Sequence, residues 1–182
     1  MSENNVTVGI FASHTDAEEA VKRLSKIGYD MHRLSIIGAD YEREEHPVGY
    51  YNMGDRARFW GREGAFWGSL WGLIMGGSGL FLIPALGTVF VLGPLVALLV
   101  SALEGAAVVG GISVFGAALY SLGIPKDSII NYETELKAHK YLLISHGSKE
   151  EVDRARDILK TIDQSHVATH YAESELDSVR LG

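Results

Sequence analysis

The chain has no cysteine, only four prolines and, across the 61 residues from Gly64 to Ile124, a single charged side chain, Glu104. Without cysteine there is no disulfide frame, no thiol nucleophile and no thiolate metal site, a composition that fits a reducing compartment. Basic residues are scarce. Sixteen Lys and Arg stand against 23 Asp and Glu, for a net charge of −7, and the two signs interleave along both flanks. No basic stripe is left to track a phosphate backbone, so nucleic acid is not expected as a partner. The first thirty residues lack a basic start followed by an apolar core, and no cleavable signal peptide is expected. The seven histidines are scattered, without an HExxH motif. Neither a metal nor a cofactor is expected.

What the ends do have is a repeat. Val6 to Ala12 is short, apolar and partly β-branched, and predicts a buried strand. A helix follows, with capping-box spacing at Asp16 and Glu19 or at Thr15 and Glu18. Ala17, Ala20, Val21, Leu24 and Ile27 share one helical face, Gly28 is a C-terminal stop, and Leu34 to Gly38 predicts a second strand. The far end repeats the plan: a strand at Tyr141 to Ser145, capping-box spacing at Ser148 and Glu151, a stripe of Val152, Ala155, Ile158, Leu159 and Ile162, and a strand at Val167 to Tyr171. A shift of 132 residues sets Ser13-His14 on Ser145-His146, Asp16 on Ser148 and Glu19 on Glu151. Two βαβ copies side by side make a four-stranded sheet with helices on one face, so the expected class is α+β with a ferredoxin-like domain. The predicted division is a first βαβ unit and polar loop at 1–54, an apolar insertion at 55–124, and a connector helix with the second unit at 125–182, which pairs with 1–40. In the connector, Pro125 starts a helix whose inner side carries Ile129, Tyr132 or Glu133, and Leu136.

The insertion holds forty uncharged residues before Glu104, 64–103, and twenty-one after it, 105–125. Each run exceeds the roughly 18 residues of a candidate membrane helix. If both ends join in one domain, the insertion must leave and return on the same side, which requires an even number of crossings. This predicts a helical hairpin: one arm from about Asp55 to Leu82, a turn between Pro84 and Pro94, and a second arm from Pro94 to about Leu122. Each arm would reach about 40 Å at 1.5 Å per residue, against a hydrocarbon core of about 30 Å. The turn carries one polar side chain, Thr88, so its tip is expected to be buried, either inside a bilayer or among subunits.

Gly64, Gly68, Gly72 and Gly76 recur every four residues, as do Gly93, Ala97, Ser101 and Gly105. This glycine-zipper spacing lets helices approach closely, within one hairpin or between subunits. Trp60, Trp67 and Trp71 beside Arg56, Arg58 and Arg62 fit an interfacial belt, with core packing as the alternative. Glu104 must be protonated, paired or near water. It is read as a proton or ion relay, as a polar contact that fixes how helices associate, or as a protonated group bonded to a neighbouring backbone carbonyl or to Ser101. The two Ser-His pairs read as loop and cap residues, and Gly76 to Gly79 lacks the strand and lysine of a phosphate loop. No catalytic residue is predicted.

Three stretches resemble a known bacterial family: HPVGYYNMGDRARFWGREGAFWGSLWGL, LEGAAVVGGISVFGAALYSLGIPKDS and YETELKAHKYLLISHGSKEEVDRARDIL. The most specific parts are Gly54 to Arg56, Phe59 to Gly61, Leu103 to Ala106 and Ile124 to Asp127. Together they resemble the DUF1269 or general-stress-protein-like family, relatives of the YflT and 17M stress proteins, over nearly the whole chain. The resemblance implies a stress-associated, membrane-associated bacterial protein without an assigned reaction. The expected function is a non-enzymatic, self-associating protein anchored in the cytoplasmic membrane by the hairpin, its polar domain on the cytoplasmic side and its partners further copies and lipid. The alternative is a soluble cytoplasmic cage, ring or filament whose apolar core holds lipid or other hydrophobic cargo. A proton or ion path through Glu104 ranks last.

Overall fold

The computed structural model describes residues 5–39, 78–83, 86–104, 113–162 and 166–172. The first strand, β1 (Asn5–Phe11), is buried on both faces, which is why it reads as a continuous apolar run. Helix α1 (His14–Lys26) begins two or three residues earlier than the predicted capping boxes at Thr15 or Asp16. Its N-cap is Ser13, whose Oγ accepts from the Asp16 N–H at 3.2 Å and donates to the Asp16 carboxylate at 2.7 Å. At the other end Gly28 has φ +73°, and the N–H groups of Gly28 and Tyr29 bond the carbonyls of Ser25 and Leu24, a Schellman closure. A short 3₁₀ turn at Met31–Arg33 leads into β2 (Leu34–Ala39).

The second copy runs from β5 (Tyr141–Gly147) through α5 (Lys149–Leu159) to β6 (His166–His170). Here the predicted capping box is present: Ser148 and Glu151 each bond the other's backbone N–H. Both β1 and β2 pair antiparallel with β5, and both β5 and β6 pair antiparallel with β1. The two units are therefore interleaved, in the order β2-β5-β1-β6. Neither unit can complete its own ladder, because the middle strand of each pair comes from the other end of the chain.

The insertion departs from the predicted helical hairpin. Its described residues include two strands, β3 (Ser78–Ile83) and β4 (Gly87–Leu92), paired from Ser78 with Leu92 to Ile83 with Gly87. β4 also pairs with β2, from Ile36 with Leu92 to Ala39 with Val89. Among the described residues the chain is thus a mixed α/β fold with five α-helices and a six-stranded antiparallel sheet, ordered β3-β4-β2-β5-β1-β6. A strand stands where the first arm was expected to end. Beside the turn, Gly87 has φ +81° and Leu82 is 82% exposed on the single chain. The described residues of the second arm form two helices, α2 (Leu95–Glu104) and α3 (Val114–Ser121), the latter capped by Ser113. The physical reason is that an apolar run carries no period that separates a helix from a buried strand. The β-branched Thr88, Val89 and Val91 decide it once β2 offers a free edge.

Helix α4 (Lys126–Lys137) is the predicted connector, with Ile129, Tyr132 and Leu136 buried. Three layers result. α1 and α5 cover one sheet face through Phe11, Val21, Leu24, Leu143, Ala155 and Leu159. α2, α3 and α4 cover the other, where Leu95, Leu99, Phe115, Leu119 and Leu136 meet Val6, Val8, Ile37, Leu142 and Ile144. Much of the described insertion is therefore core of this chain, and burying each such side chain contributes about 1.5 to 3 kcal/mol. No helix among the described residues is long and apolar enough to cross a membrane.

Candidate functional site

Helix α2 has almost no polar side. Leu95 and Leu99 are sealed against the sheet, while Ala97, Val100, Ser101 and Leu103 face outward, Val100 at 41% and Leu103 at 49% exposure. α3 packs beside it and turns Ala117 and Tyr120 outward, Tyr120 at 56% exposure. Between Leu95 and Leu103 and along α3 there is no charged residue. At the border of this face the Lys126 ammonium lies 6.0 Å from the centroid of the Tyr120 ring. An uncharged, outward-facing pair of helices is the most distinctive surface among the described residues.

Three of the predicted packing residues are described. Ala97 and Ser101 lie on the exposed side of α2, one turn apart. Gly93 lies before the helix, in the β4–α2 turn, with φ +95° and the Leu34 carbonyl and Ser35 Cα where a Cβ would stand. Ser35 then receives the Leu95 N–H at 3.1 Å, so the turn closes on β2 of the same chain. Glu104 is the last residue of α2. Gly64, Gly68, Gly72, Gly76 and Gly105, with Arg56, Arg58, Trp60, Arg62, Trp67 and Trp71, lie outside the described residues.

Polar side chains form three clusters that no sequence pattern had joined. At the start of β2, Arg33 pairs with Glu151 and Asp30, while the Tyr29 hydroxyl donates to the His146 carbonyl at 3.2 Å. Burial pushes the Tyr29 phenol up to about 12. Burial likewise holds His146 below the ordinary histidine value, helped by the Arg33 cation and opposed by Asp30 and Glu151. Beyond β6, the Tyr171 hydroxyl donates to Asp153 at 2.5 Å, Arg156 donates to both at 2.7 and 3.0 Å, and Lys149 reaches Asp153 at 2.8 Å. On the other sheet face Tyr132 meets His170 Nε2 at 2.8 Å. In chemical terms these clusters join elements far apart in sequence.

Of the Ser-His pairs, Ser13 is the α1 cap, and Ser145 is buried, with its Oγ donating to the Thr7 carbonyl at 3.2 Å. His166 and His170 are four residues apart on a strand, so about 13 Å separates their Cα atoms rather than one helical turn. Among the described residues no group of three or more His, Asp and Glu could hold a metal ion.

No curated protein and no solved structure matches the chain. Residues 6–81, from β1 to within β3, match the family described as "Heat induced stress protein YflT domain", and over that span the chain is similar to general stress proteins of this kind.

Proposed function

We propose that this is a non-enzymatic, stress-related protein that works by self-association through the outer face of α2 and α3. The carrying observation is that face itself: Ala97, Val100, Leu103, Ala117 and Tyr120 point outward with no charge among them on α2 from Leu95 to Leu103 or on α3. Packing of small and apolar side chains supplies the association energy, and Ala97 and Ser101 let a second helix come close. The stress role rests on the similarity over residues 6–81. The wider kinship with DUF1269 proteins, the glycine-zipper contacts and the absence of cofactor or nucleic-acid partners belong to the same reading. So does a ferredoxin-like unit, supported by the order β2-β5-β1-β6 with α1 and α5 on one face.

A second reading places the same face on lipid at the cytoplasmic side of the membrane. It is favoured by Lys126 over Tyr120, a cation and an aromatic at the rim of an apolar surface. The test is detergent-free lysis, gradient sedimentation and light-scattering mass, on the parent chain and on Val100→Glu with Leu103→Glu. A discrete assembly of 19.8 kDa subunits that falls apart in the double variant is expected. Flotation with lipid, lost in the variant, would favour the second reading. A parent that is monomeric and lipid-free would overturn both.

A further inference from the structure

Val6 on β1 is flanked across the sheet by two histidines. Its register partner on β5 is His146 and its partner on β6 is His170, and residues directly opposite in an antiparallel sheet share a face. The row His146, Val6, His170 therefore lies on the side covered by α2 to α4. Val6 is fully buried, and the imidazoles on either side of it are partly so. Helix α4 reaches the row with Tyr132, whose hydroxyl lies 2.8 Å from His170 Nε2 with the two rings edge-on.

The groups facing each histidine differ. Around His146 stand Arg33, Asp30 and Glu151, and the Tyr29 hydroxyl on its carbonyl. Around His170 the titratable neighbour is Tyr132, and burial alone lowers the imidazole, with no charged group contributing among the described residues. The acids of α4 that flank Tyr132 are engaged elsewhere: Glu133 accepts from Ser113, and Glu135 pairs with Lys140 at 2.5 Å. Burial pushes the Tyr132 phenol up to about 12, so it remains a neutral partner throughout the range in which histidine titrates.

β6 is also the end strand of the described sheet, five residues long and paired only with β1. Its far end is pinned by the Ala172 N–H on Asn5 Oδ1 at 2.9 Å and by Tyr171 on Asp153. Those contacts contain no histidine.

We propose that His170 and Tyr132 form an acid-responsive latch: with a neutral imidazole their contact ties β6 to α4, and on taking up a proton below neutral pH His170 loosens β6 at that edge of the sheet. The direction follows from linkage. A histidine whose folded-state value is lowered stabilises the fold above its unfolded value, near 6.5, and that contribution fades as pH falls through the folded value. A charged His170 carries N–H donors on both ring nitrogens and can no longer accept from the Tyr132 hydroxyl, and no carboxylate among the described residues contributes at the imidazole.

Amide hydrogen exchange on the full chain at about pH 7.5 and about pH 5.5, corrected for intrinsic rates, tests this. Amides of 166–170 are expected to exchange several-fold faster at the lower pH, with β2 and β5 unchanged. His170→Gln should remove that acid dependence, whereas His146→Gln should leave it in place. Equal acceleration in His170→Gln, or uniform protection in the parent, would overturn the latch. Should the variant not fold, an NMR titration of the parent decides: a His170 imidazole titrating at or above 6.5 overturns the proposal.

Discussion

Arg33 and Glu151 meet across 118 residues of chain, and the carboxylate oxygen that receives the guanidinium also accepts the Ser148 N–H at 2.8 Å. One side chain thus closes a helix cap in the second βαβ unit and ties it to the first. Gly147 makes room for it, since a Cβ there would stand 2.5 Å from Glu151 Oε2. Both partners of the ion pair are about a third exposed or more, so the pair alone is worth little and the cap carries most of the effect. Glu151→Ala is expected to cost about 1 to 2 kcal/mol by chemical denaturation, and Glu151→Gln about half of that, because the amide oxygen still receives the Ser148 N–H. Equal costs would mean that charge, not capping, matters.

Two glycines with positive φ separate strain from collision. Gly28 has φ +73° with nothing within 4 Å of the place a Cβ would take, whereas Gly93 has φ +95° with the Leu34 carbonyl in the way. Gly28→Ala is expected to cost about 1 kcal/mol, from backbone conformation alone. Gly93→Ala adds displacement of β2 and is expected to cost at least about 3 kcal/mol, visible as a much lower denaturation midpoint.

Neighbouring leucines of α2 make opposite predictions. Leu99 is fully buried and Leu103 is 49% exposed. Leu99→Ala should lose about 2 to 5 kcal/mol of stability. Leu103→Ala should stay within about 0.5 kcal/mol while lowering the mass measured by light scattering, if the outer face carries association. A large loss of stability in both would place Leu103 in the core instead.

Asp153 sets an acid limit. Bonds from Lys149 and Tyr171 hold its carboxyl below the usual range, ahead of the fields of Arg156 and Lys149. A lowered carboxyl stabilises the fold above its unfolded value, near 3.8, and that contribution is lost as pH falls through the folded value. Tyr171→Phe should cost about 0.5 to 1.5 kcal/mol at neutral pH and move acid unfolding to higher pH. An unchanged acid midpoint would show that Lys149 and Arg156 suffice.

The paired ends were legible because their signals are local. Ala17, Ala20, Val21 and Leu24 recur at helical spacing, Ser148 and Glu151 sit three apart, and Gly28 stops its helix, each enforced by backbone geometry within a few residues. Even there the N-cap moved to Ser13, since Asp16 serves α1 better at the third helical position, facing the free N–H groups. The candidate surface was only partly legible. Ala97 and Ser101 were marked by spacing, whereas Val100, Leu103 and Tyr120 were not, because a helix with hardly any polar residue carries no contrast between its inner and outer sides. Tyr132 and His170 are 38 residues apart, and no sequence pattern links them.

Sequence alone determined that two βαβ units occupy the ends and that the segment between them avoids water, because periodicity, capping and the absence of charge act at short range. Tertiary structure alone decided how the water-avoiding segment is spent. The edge of β2 drew Gly87–Leu92 into a strand, and the bare face of the sheet drew α2 and α3 onto it. Backbone hydrogen bonds and apolar contacts of that kind depend on partners about fifty residues or more away, and an apolar run satisfies a membrane, a subunit interface or its own sheet equally well until one of them is brought beside it.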